Sequence, residues 1–329
     1  MSSTADFAAP DVAPTRVLTN KDVLDLRRRF YEDGVISFDE AADMFGVAER
    51  IDAAGPDWTE FFVEALCDTV VHQAEPAGYV SEENADWLIA HIMRDGAVGT
   101  RCELQLLVNV LEVANDAPAA LKSFILAVIA DATLTGNGAL LGDERLTPGI
   151  IGKPEAKLIR RVIFAGSGDG GAWVTRAEAD FLFDLNDATR GAANDAAWQT
   201  LFVQGITNHL MSARIHEPVT AERQLEMQRW LEDKGQGLGG FLGRMFSSVP
   251  HFGFGGSERT FDEAVGEDNA RDDAKLADGA TVTADESEWL ISRITQDQHL
   301  DDNEIAVLVY LKENAPELCS NLNELLGTE

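Results

Sequence analysis

Four turns along the chain set an Asp just ahead of an aliphatic residue, an arrangement from which carboxylates could hold a divalent cation. They are Asp33-Gly34-Val35-Ile36 with Glu40, Asp95-Gly96-Ala97-Val98, Asp169-Gly170 leading to Val174 with Glu178, and Asp297-Gln298-His299-Leu300 with Glu304. A calcium loop needs about six to eight oxygens spread along roughly twelve residues and closed by a bidentate Glu. The third turn fits best, with Ser167, Asp169, Thr175 and Glu178 at the first, third, ninth and twelfth positions. The other turns put Arg29 and Tyr31, His91 and Met93, or Arg293 and Thr295 at the first two ligand positions, where a cation or a poor donor opposes binding. Calcium or magnesium binding at 167–178 is therefore expected to be weak. The same glutamates have a second use: Ser37 with Glu40, Thr175 with Glu178 and Thr283 with Glu286 have the spacing of helix capping boxes.

Other chemistry is harder to find. There is no G-x-S-x-G, no glycine-rich loop ending in Lys-Ser or Lys-Thr, and no H-E-x-x-H. His72, His91, His209, His216, His251 and His299 lack partners at metal-ligand spacing, and His72 and His209 are expected in capping or surface roles. The run Gly166 to Gly171 contains Asp169, whereas an anion site needs donors alone. Cys67, Cys102 and Cys319 lie at scattered spacings inside apolar patterns and are expected to be core thiols of a reducing compartment. A non-enzymatic protein is the expectation, with an enzyme whose site is assembled across the chain as the remaining alternative.

The elements that carry these turns are repeated. Trp58, Phe61, Phe62, Val63, Leu66 and Val70 recur at identical offsets as Trp198, Leu201, Phe202, Val203, Ile206 and Leu210. Those offsets fall on one side of a helix, so each stripe is expected to be core. A second pair aligns Val80 to Ile89 with Val282 to Ile291, and each member runs through an Asp turn and an apolar helix into Ala117-Pro118 or Ala315-Pro316. With no sustained period-two pattern, the chain is expected to be all-α: two homologous halves, each of paired helix-loop-helix units. The halves are placed at 16–136 and 154–329, joined by a linker at 137–153, with a disordered lead at 1–15 and an insertion in the second half at 215–281.

The helix-turn-helix pattern resembles degenerate EF-hands, and the short motif is also similar to that of TerB-like tellurite-resistance domains. The EF-hand resemblance implies paired units that expose or hide a groove for a protein partner. The TerB resemblance implies a compact helical bundle.

The insertion supplies a candidate contact element. Leu238, Phe241, Leu242, Met245, Phe246 and Val249 have amphipathic spacing with Arg244 as the one charge among them, and Phe252 and Phe254 extend the apolar surface. Glycines at 239, 240 and 243 weaken a helix there, so order is expected only where the stripe is covered. Such a segment suits docking into a groove of the chain itself or of a protein partner. A net charge of −31 disfavours nucleic acid and anionic lipid surfaces. No apolar run reaches a membrane-spanning length, and the start of the chain has no apolar core of a signal peptide, so a cytoplasmic location is expected.

Overall fold

The computed structural model describes residues 18–51, 55–138, 146–165, 173–211, 282–296 and 299–315, together with Leu225 and Leu322. Among them the protein is all-α, with eleven α-helices. Capping boxes start α1 (Asn20–Phe30), α2 (Phe38–Ala48), α5 (Arg101–Val113) and α8 (Arg176–Ala188). They also start α10 (Ala284–Thr295) and α11 (Asp302–Asn314). In each, the cap oxygen takes up an amide of the first turn and the third-position carboxylate takes up the amide of the cap residue. The three boxes expected from sequence are present, and Thr19 with Asp22, Thr100 with Glu103 and Asp301 with Glu304 add three more.

The remaining helices start differently. Proline occupies the first turn of α3 (Pro56–Cys67) and α7 (Lys153–Ile163), where its missing N–H removes no helical bond. Pro118 precedes α6 (Ala119–Thr135), Ser81 caps α4 (Glu82–Ile92), and the Asp195 carboxylate accepts from the Ala197 amide at the start of α9 (Ala196–Met211). Among the described residues a single isolated bridge joins Tyr79 and Asp116.

The two tryptophan helices organise the packing. α3 lies against α1, α2 and α5, and α9 against α7, α8 and α11. Both stripes are buried: Trp58 and Trp198 are 1% and 0% exposed, and Phe62 and Phe202 are fully covered. Their surroundings hold them at defined ring angles, Phe45 edge-on to Phe62 and Phe183 edge-on to Phe202. At Gly205 the backbone of α9 comes so close to α8 that an added Cβ would collide with Leu182.

The two sets of helices share one core. α7 packs on α5 and α6 as well as on α9, α6 packs on α8, and the buried apolar residues from Val23 to Leu322 form one connected cluster. Arg161 of α7 grips Glu112 of α5 through two hydrogen bonds of 2.7 and 2.8 Å. The joining segment is also tied down, since Ile151 is buried, its N–H donates to Asn194 Oδ1 at 2.8 Å and its carbonyl accepts from the Asp195 amide.

Candidate functional site

Of the four proposed cation ligands, Thr175 and Glu178 lie within the described residues and Ser167 and Asp169 lie outside them. Thr175 caps α8. Glu178 Oε2 accepts from the Thr175 amide at 2.7 Å and from its hydroxyl at 2.9 Å. The other oxygen, Oε1, sits 2.8 Å from Lys122 Nζ of α6, with Glu178 only 4% exposed. An ammonium group thus occupies the free side of the carboxylate. No group of three or more His, Cys, Asp or Glu side chains among the described residues is arranged to hold a metal ion.

The loop aliphatics ahead of the caps are buried, Ile36 at 1%, Val174 at 2% and Val282 at 0% exposure. Each tryptophan helix reaches back to one of them: Thr69 Oγ1 donates to the Ile36 carbonyl at 3.3 Å, and His209 Nδ1 lies 2.9 Å from the Val174 carbonyl. The surface or capping role expected for His209 is thereby corrected. Its ring is 5% exposed and stands edge-on to Trp289, because the fold brings α10 across the end of α9. His72 is exposed.

Burial pushes Cys67 up to about 11 and raises Cys102, whose sulfur lies 3.1 Å from Thr59 Oγ1. A groove of about 670 Å³ between α3 and α5 is lined by Thr59, Glu60, Glu64, Arg101, Gln105 and Asn109.

A polar knot fixes the start of α11. Asn186 at the end of α8 donates to Asp301 Oδ2 at 2.6 Å and accepts from Trp198 Nε1 at 3.2 Å and Asn303 Nδ2 at 2.7 Å. Arg190 donates to Asp187 at 2.6 Å and stands 3.8 Å from Asp301. Loss of water around the carboxyls raises the pKa values of both Asp187 and Glu304, against the lowering pull of Arg190.

Held by this knot, α11 turns Glu304, Val307, Leu308 and Leu311 inward and lies against α9. The sequence pattern suggested an apolar helix running from Ile305, but Ile305 is 42% exposed, Val309 48% and Tyr310 41%, and Leu300 just before the helix is 46% exposed. Counted from their first residues, Ile305 and Val309 of α11 stand where α5 has Leu104 and Val108, which are 1% and 0% exposed. The difference lies in what covers them. α5 is overlaid by α6 and α7 in addition to α3, whereas the extensive packing of α11 is with α9.

The sequence-predicted contact residues Leu238, Phe241, Leu242, Met245, Phe246, Val249, Phe252 and Phe254 lie outside the described residues. No described helix is long and apolar enough to cross a membrane. The chain matches no protein-family model, and no curated protein or solved structure matches it.

Proposed function

We propose that this is a non-enzymatic interaction or scaffold protein, built from degenerate EF-hand-like helix-loop-helix units in two related halves, that acts by protein contact. The observation that carries the reading is the apolar row Ile305, Val309 and Tyr310 on a firmly anchored helix, with Leu300 just ahead of it, in a strongly acidic molecule. Rows at i and i+4 on an exposed helix suit association with another apolar segment. Other observations support the same reading. Glu40, Glu178 and Glu304 are used in helix caps, with Glu178 engaged on both oxygens, and burial raises the pKa values of the two described thiols. The glycine-aromatic segment 238–254 is the second contact element in this proposal, and a cytoplasmic location accompanies it.

The alternative of a cation sensor at 167–178 has less support, because any metal would have to displace Lys122 from Glu178. The test of the contact reading is affinity isolation with an Ile305→Asp/Val309→Asp chain beside a Leu24→Asp control, since Leu24 is 48% exposed on the distant α1. A partner lost by the double substitution and kept by the control, at equal thermal stability, is the expected outcome. Equal recovery of all partners by both chains would overturn it.

A further inference from the structure

The outer faces of the two chain-terminal helical layers differ in kind. α1 and α7 are both eleven residues long, and at the same positions both bury one stripe, Val23, Leu26 and Phe30 in α1 and Ala156, Ile159 and Ile163 in α7. α7 buries a second stripe as well, with Leu158 4% and Val162 0% exposed, and it packs on α5 and α6 in addition to α9. At those positions α1 carries exposed Asp25 and Arg29. α1 is thus finished with charge along that side, although its Leu24 is 48% exposed. α11 is not: it leaves open the apolar face that its counterpart α5 has covered.

We infer that the cover is the chain's own segment Lys234 to Ser257, whose stripe Leu238, Phe241, Leu242, Met245 and Phe246 docks on Ile305, Val309 and Tyr310. This deepens the proposed function, since it uses the same face and makes a partner compete with an internal occupant. Charge favours this segment. In a chain with 57 acidic residues, 234–257 contains none and carries Lys234 and Arg244, while α11 exposes Asp302 and Glu313 beside Lys312. The other nearby apolar stretch, 317–329, carries Glu317, Glu324 and Glu329 without a cation, and its Leu322 is already committed to the core.

Reach also favours it. Residues 212–233 join the segment to the end of α9, which packs directly on α11, and residues 258–281 return it to Val282. A stretch of 22 residues can reach at most about 75 Å, several times the spacing of packed helices, so the face lies within reach of the segment.

The experiment places a photo-crosslinking amino acid at Val309 in the full purified chain and maps the products. The expected result is a monomer-mass product joined within 234–257, reduced at least severalfold by Phe241→Asp/Phe246→Asp. Hydrogen exchange in α11 of that variant, without the crosslinker, should speed up about tenfold as protection is lost. Joining to 316–329, a dimer-mass product, or exchange unchanged by the substitution would each overturn the inference. The affinity isolation described above is read on partners and this experiment on the chain alone, so the two readings can fail separately.

Discussion

Glu178 shows how one carboxylate can be drawn away from metal chemistry by its neighbours. One oxygen closes the cap of α8 and the other faces Lys122 across the joint between α6 and α8, at 4% exposure. Glu178→Ala is therefore expected to cost about 2–4 kcal/mol, from a lost cap and a broken, largely buried pair, read as a shift of the urea midpoint. Calorimetric titration with calcium or magnesium is expected to give no saturable heat that this substitution abolishes. Glu304 behaves differently, because desolvation raises its pKa above the ordinary 4.5. The native state then binds its proton at a higher pH than the unfolded chain. The penalty is fully present at neutral pH and is relieved as pH falls through the raised value toward 4.5. Glu304→Gln keeps an oxygen for the Asp301 amide. It should flatten that part of the stability–pH curve, measured by chemical denaturation at a series of pH values.

At the scale of elements, the position of α9 depends on the absence of a side chain. Gly205 allows α8 and α9 to approach until Leu182 lies where a Cβ would be. Gly205→Ala should destabilise by about 1–3 kcal/mol through overpacking. Combined with Leu182→Ala, the two effects should be clearly non-additive in a double-mutant cycle, as residues in direct contact require. The caps belong to this scale too. Ser37, Thr175 and Thr283 were legible because hydroxyl and Glu stand three apart, but Asp301 with Glu304 looked like part of an acidic turn until α11 was seen to begin behind it. Repetition of the Trp58 and Trp198 stripes likewise announced two buried helices, since periodicity reports which face of a helix is apolar.

For the whole molecule, the joint at α5, α6 and α7 makes one core of two sets of helices. Leu158 of α7 belongs to that core and is 4% exposed. Leu158→Ala is expected to cost about 2–5 kcal/mol and to shift a single unfolding transition, with near- and far-UV circular dichroism coinciding. Two separated transitions would mean that the halves unfold independently. Periodicity could not settle this, because Leu158 and Val162 read as an ordinary apolar face whether they meet a neighbouring half or solvent.

The amino-acid sequence by itself determined the helices, most of their starts and the two tryptophan stripes, because these follow from local hydrogen bonding and from apolar spacing along one element. Tertiary structure decided the rest. It buried His209 under α10, turned Glu178 toward Lys122, and left Ile305 and Val309 open where Leu104 and Val108 are closed. In each case the same residue pattern has two outcomes, and the outcome depends on which distant helix arrives to cover it.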